Sequence, residues 1–256
     1  MDNDRPAPSA TRIAIGFVCL FLLYQSAEGV GDRLLHSFPA QAGLMLACVV
    51  AAWPVSRWLG FRGLDAFALP LRARTLAWLP PLLVLAFALK AGALQAGLAL
   101  GIYAPDATNP SPLSGLAAAL PMLLLSTFVP SIAEDILTRG FPYRAAGIRW
   151  RRGAAFVGAS SLLYVANHLY RLTLGPMEWL MLFVFGLAYA TALWRTGSLW
   201  AAVGLHWGWN LGNATLAIAM PTSTVDTDGG RLMSMAAHLL MLATVLAVSR
   251  HRAPAG

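Results

Sequence analysis

The stretch GLAAALPMLLLSTFVPSIAEDILT, residues 115–138, has no charged side chain in its first nineteen positions and then sets Glu134 and Asp135 side by side. About 20 apolar helical residues cross the hydrocarbon layer of a bilayer at 1.5 Å per residue. The stretch therefore reads as a membrane-crossing helix that carries two acids with it. Outward from it, comparable apolar runs lie at 13–30, 40–59, 76–102, 154–170, 178–195, 198–220 and 232–249, which gives eight candidate crossings. The composition agrees: 58% of the 256 residues are hydrophobic and 11% charged, against roughly 25% charge in a soluble domain. A soluble globular enzyme is excluded. The expected fold is all-α, a polytopic integral membrane bundle of about eight transmembrane helices, with residues 1–256 forming a single membrane domain. No long Gly/Ser or Pro linker and no internal repeat divides it. Pro80, Pro81, Pro121 and Pro130 are expected to kink or delay their helices, and residues 221–230 to form a polar loop.

The net charge of +7 arises from 17 arginines and one lysine against 11 acids. With eight crossings, one side of the membrane collects Arg5, Arg12, Arg57, Arg62, Arg72, Arg74, Arg139, Arg144, Arg149, Arg151, Arg152, Arg195, Arg250 and Arg252. The other collects only Arg33, Arg171 and Arg231. The positive-inside rule then places both termini in the cytoplasm, in a bacterial inner (plasma) membrane. The lipid bilayer accounts for the basic clusters, and no nucleic-acid partner is expected. Residues 1–12 are polar and acidic rather than signal-like, so the first apolar stretch is expected to remain in the protein. Cys19 and Cys48 lie in apolar runs without CxxC spacing, which argues against a disulfide framework or a thiolate metal site.

Ionisable groups inside a hydrocarbon layer are costly and tend to mark function. Apart from Lys90 and helix-end charges such as Glu28, those within or near the spans are Glu134, Asp135, Arg139, His168, His206 and His238. Asp135 and Arg139 are four apart and can pair on one helix face, while Glu134 projects ~100° away and is left as a candidate general base. Ser161, Tyr164 and His168 share a face of the next span. His206 and Asn210 share a face of a later one, opposite a ridge formed by Gly204, Gly208 and Gly212 suited to close helix packing. The turn through Arg149, Arg151 and Arg152 would return the chain so that Glu134 and His168 meet. His206 matches their depth only if that helix pair protrudes into the cytoplasm. Each motif alone also has a plainer reading: a charged helix end, an interfacial histidine, or a buried histidine in a helix contact. Lys90 and His238 have no nameable partner and are left outside the site.

Taken together, Glu134-Asp135-x-x-x-Arg139, Tyr164-x-x-x-His168 and His206-x-x-x-Asn210 resemble the CAAX-processing and bacteriocin-processing (CPBP) family of intramembrane proteases, related to the CAAX prenyl endopeptidases. The resemblance covers about 130–213, the motif-bearing core. Asp135 stands where the family has a second Glu, and Tyr164 where it has Phe. The resemblance implies that Glu134, with His168, activates a water for attack on a peptide carbonyl. It also implies that His206 and Asn210 hold the developing oxyanion, with Asp135, Arg139 and Tyr164 in support. The expected activity is hydrolysis of a peptide bond in a membrane-anchored protein or peptide, within or at the cytoplasmic edge of the bilayer. No cofactor is expected. Zinc held by one Glu and two His is the alternative, although the sequence lacks a His-Glu-x-x-His pair. Two non-protease alternatives are a membrane scaffold or bacteriocin-immunity protein of the same family, and a small-solute transporter, which should show matching charged or broken helices in both halves.

Overall fold

Helices start and stop where local chemistry dictates, beginning with Ser9, whose side chain accepts from the Arg12 N–H and caps α1 (Ala10–Ser26). The computed structural model describes residues 8–106, 113–146 and 152–248. α1 runs on as a π-helical segment, Ala27–Leu34, and Ser37 caps α2 (Phe38–Trp58) in the same way as Ser9. A short turn, α3 (Ala73–Leu76), precedes α4 (Leu79–Ala99), whose first turn takes Pro80 and Pro81 where no intrahelical N–H is needed. α5 (Leu113–Asp135) absorbs Pro121 and Pro130 without ending and continues as a π-helical segment, Ile136–Ala145.

α6 (Gly153–Asn167) stops at His168, and a 3-10 turn, Leu169–Leu174, leads to α7 (Pro176–Thr196). Gly197, at φ 67°, closes α7 in the left-handed region that glycine tolerates, and α8 (Leu199–Ala219) reverses two residues later. α9 (Thr227–Val248) starts five residues before the expected 232, because the Asp226 carboxylate accepts from the N–H groups of Asp228 and Gly229 and caps it. The expected polar loop at 221–230 thus holds a helix start. It also holds one strand of a small ribbon, in which β1 (Tyr103–Pro105) pairs antiparallel with β2 (Thr222–Thr224).

Among the described residues, six helical segments are long and apolar enough to cross a membrane: Ala10–Leu34, Phe38–Trp58, Ala73–Ala99, Gly115–Ala145, Pro176–Thr196 and Thr227–Val248. Of the other two expected spans, α6 has only 15 residues, and α8 has 21 but carries His206, Asn210 and Asn213, which lower its hydropathy. The Gly115–Ala145 segment, 31 residues long, measures roughly 45 Å against a ~30 Å hydrocarbon layer. Arg149 and Arg151 of the expected basic turn, and Arg5, Arg250 and Arg252 near the termini, lie outside the described residues.

α8 is the central helix, packed on α4, α5 and α7. A Cβ on Gly204 would lie 2.8 Å from the Leu79 carbonyl oxygen, one on Gly208 2.9 Å from the Leu83 Cα, and one on Gly212 3.1 Å from the Lys90 side chain. The glycine ridge read from the sequence is the seam on which α4 closes.

The bundle has two distinguishable ends. At one, the start of α8 meets the chain after α2, through Leu199 N–H to the Ala68 carbonyl at 2.8 Å, and Arg195 on α7 donates to the Leu246 carbonyl on α9 at 3.2 Å. At the other lie the β1–β2 ribbon, the turn after α6 and the starts of α7 and α9, joined by Arg231–Glu178 at 3.1 Å.

Candidate active site

Asp135 and Glu134 end the regular part of α5, and the ~100° between them sends their carboxylates into different surroundings. Asp135, fully buried, pairs with the fully buried Arg139 one turn on and also accepts from His206 Nδ1 at 3.3 Å. The Arg139 guanidinium lies over the rings of Tyr164 and Tyr189, 4.4 and 4.9 Å from their centroids, and its Nε and Nη2 have no hydrogen-bond partner among the described residues. Two aromatic faces take up charge that hydrogen bonds leave uncompensated.

Glu134 faces a cavity of about 290 Å³ whose walls also include Tyr164, His168, Tyr189, His206, Asn210 and Asn213. Its two oxygens are divided between the imidazoles, with Oε1 3.5 Å from His168 Nε2 and Oε2 3.6 Å from His206 Nε2. These separations are longer than a good direct hydrogen bond and leave room for a water shared among the three groups. Both rings have a fixed orientation. His168 Nδ1 lies 2.8 Å from the Tyr164 carbonyl, and His206 Nδ1 lies against the Asp135 carboxylate. A carbonyl or carboxylate can only accept, so each Nδ1 carries the proton and each Nε2 faces Glu134.

His168 reaches this position by leaving the helix: at φ −85°, ψ 55° it caps α6 rather than continuing it. Tyr164 stands edge-on to both imidazoles, with centroids 4.6 Å from His168 and 6.0 Å from His206. Asn210 lines the same cavity, and its Nδ2 donates to Ser131 Oγ on α5 at 3.0 Å. Glu134, His168, His206 and Asn210 are thus brought together, with Asp135, Arg139 and Tyr164 immediately behind them. Ser161, which shares the Tyr164 face in sequence, instead lies against Gly186 in the α6–α7 contact.

Several partners escaped the sequence reading. The Asn167 amide donates to Glu134 Oε1 at 3.0 Å and accepts at its own oxygen from Gln25 Nε2 at 3.1 Å, which ties α1 to the site. Tyr24, also on α1, adjoins Glu134. Tyr189 stacks on His206 at 4.9 Å and hydrogen-bonds His238 Nε2 at 2.7 Å. His238, for which the sequence offered no partner, therefore braces the His206 ring from behind, itself stacked on Phe185. Lys90 meets the face of Trp209 at 4.9 Å. An asparagine beside a histidine was a visible signal for Asn167, whereas nothing in the spacing pairs Gln25 or Tyr189 with these motifs.

Among the described residues no group of three or more His, Cys, Asp or Glu side chains is disposed to hold a metal ion. Asp135 is engaged by Arg139 and His206, and Asn167 occupies one oxygen of Glu134.

No curated protein and no solved structure matches the chain. A family model does, that of the type II CAAX prenyl endopeptidases, described as Rce1-like, over residues 116–212. Glu134, His168, His206 and Asn210 all fall inside that segment, so the part of the chain that carries these four residues is similar to a family of CAAX proteases, as its three motifs indicated.

Proposed function

We propose that the protein is an intramembrane endopeptidase that hydrolyses a peptide bond of a membrane-anchored protein or peptide with a water activated by Glu134. The observation that carries this reading is the carboxylate held between two oriented imidazole Nε2 atoms, 3.5 and 3.6 Å away, on the wall of a cavity in an apolar bundle. Glu134 removes a proton from the water as its oxygen attacks the peptide carbonyl, with His168 Nε2 fixing the water at Oε1. The carbonyl oxygen becomes an oxyanion. It accepts from the second N–H of Asn210, the first being given to Ser131, with His206, its ring held by the Nδ1 contact to Asp135, as the other group facing it. Glu134 then returns its proton to the leaving nitrogen, and the C–N bond breaks. No step is assigned to a metal, because the remaining carboxylate is already engaged by Arg139 and His206. The similarity of residues 116–212 to a protease family supports hydrolysis over a scaffold role.

The test is Glu134→Gln, which keeps the acceptor and the shape and removes the base. A membrane-anchored substrate, found by comparing membrane peptides with and without the protein, should go uncut while the variant melts in detergent with the wild type. Unchanged cleavage in a clean null background overturns the assignment.

A further inference from the structure

The wall of the cavity reaches exposed residues toward one end of the bundle. Toward the other it is sealed: every residue from Ser131 to Phe141 is buried, as is every residue from Leu199 to His206. Ala66, Phe67, Ala68 and Leu69 plug the space beyond them at 0–2% exposure. Gly140 sits so close to this plug that a Cβ there would lie 2.7 Å from the Phe67 carbonyl oxygen. In the opposite direction, Asn213 on the cavity wall is exposed and Ser234, Arg171 and His168 are partly exposed. The rim carries a chain of ion pairs in which Glu178, almost fully buried, joins Arg171 to Arg231, and Arg231 reaches Asp228 at 2.8 Å.

The two ends differ in charge. The sealed end carries Arg12, Arg57, Arg62, Arg72, Arg74, Arg144, Arg152 and Arg195 against a single acid, Asp65, among the described residues. The open end carries Arg33, Arg171 and Arg231, each paired with an acid, and further acids at Asp32, Asp106 and Asp226. Arginine excess marks the cytoplasmic side of a membrane protein.

We propose that the site is entered from the non-cytoplasmic side, so that its substrate presents the scissile peptide bond there, past the Arg171–Glu178–Arg231 rim. This rests on the protease reading for the word substrate, though not for the direction of access. It replaces the sequence expectation of cleavage at the cytoplasmic edge. The polar rim fits peptide backbone and water better than an acyl chain, which places the substrate's lipid or helical anchor outside the cavity.

The experiment is labelling with a membrane-impermeant maleimide in membrane vesicles of defined sidedness, in a Cys19→Ser, Cys48→Ala background. Val225→Cys (66% exposed, open end) and Leu71→Cys (74% exposed, sealed end) report orientation, and Ser234→Cys reports the cavity, with Asn213→Cys as its replacement if the first does not fold. Val225→Cys and Ser234→Cys should react in right-side-out vesicles and Leu71→Cys only in inside-out ones. The reverse pattern for Val225→Cys and Leu71→Cys overturns the orientation. Ser234→Cys reacting only from the inside, or from neither side, overturns the direction of access. The labelling does not depend on hydrolysis, so an inactive but correctly labelled protein sinks the protease reading and leaves the access intact.

Discussion

Asp135→Asn isolates the part of the site that the second acid controls. In the folded protein Asp135 accepts from both Arg139 and His206 Nδ1, with no exposure of either charged side chain in the Asp135–Arg139 pair. Removing one partner of such a pair leaves a buried cation and costs about 3–5 kcal/mol. The tyrosine faces over Arg139 are present before and after the change, so they do not reduce the difference, but Asn retains one oxygen acceptor and the lower figure, ~3 kcal/mol, applies. For a chain of this size that is a fall on the order of 10 °C in melting temperature. Turnover should fall further than stability explains, by ~10²-fold, because the amide can present N–H to His206 Nδ1 and so turn the ring's proton toward Glu134. The double variant Asp135→Leu/Arg139→Met separates the effects. Removing both charges from a buried pair is often neutral or better for stability, so the melting temperature should return while His206, deprived of its acceptor, stays slow. Melting in detergent and cleavage of a membrane-anchored peptide are the two assays. Wild-type behaviour of Asp135→Asn in both, or full turnover in the double variant, refutes the reasoning.

Asn167→Ala removes a hydrogen bond to a charged carboxylate, worth ~1.5–3 kcal/mol, and should lower kcat/KM by about 10-fold or more. Gln25→Leu should act in the same direction and less strongly, since it reaches Glu134 only through Asn167. Gly208→Ala drives a methyl into the Leu83 carbonyl and should cost ~1–3 kcal/mol in thermal unfolding. Gly92→Ala, on the same packed pair but with open space around its Cβ, should be neutral or gain ~0.5–1 kcal/mol; equal effects at the two glycines would show that the α4–α8 seam does not matter. Chelator treatment should leave turnover unchanged, and strong inhibition restored by added zinc would overturn the metal-free mechanism.

The long helices were legible because hydrocarbon length and apolar runs leave few alternatives, and the glycine ridge of α8 was legible because its period matches one helix face. The site was legible to the extent that i, i+4 spacing fixes a face: Asp135 pairs with Arg139, Tyr164 meets His168, and His206 and Asn210 line one cavity. Boundaries and cross-helix partners were not. Asp226 moves the start of α9 because a carboxylate can satisfy free N–H groups in a segment whose polarity reads as loop. Glu178 is an apparent helix-end charge whose two partners come from different segments, Arg171 and Arg231. Gln25 is separated from Asn167 by 142 residues, and no periodicity carries information over that distance. His238 illustrates the same limit, since its partner Tyr189 is defined by how α7 and α9 pack.

Adjacent acids on a helix acquire different roles here without any difference in their immediate sequence context. One residue is ~100° of rotation, and at the boundary between the sealed and open halves of this bundle that rotation is enough to move a carboxylate from one medium to the other. Asp135 turns into the solid half, where no water competes for its oxygens and its charge is committed to Arg139 and to the orientation of His206. Glu134 turns into the cavity, where its neighbours are imidazole and amide groups spaced to admit a water. With one guanidinium for two carboxylates, the cluster retains a negative charge that only a proton or a developing positive partner can neutralise. A fully dry pocket would suppress that charge and open solvent would screen it. The half-sealed cavity does neither, which is why the direction in which it opens and the chemistry it supports are parts of the same arrangement.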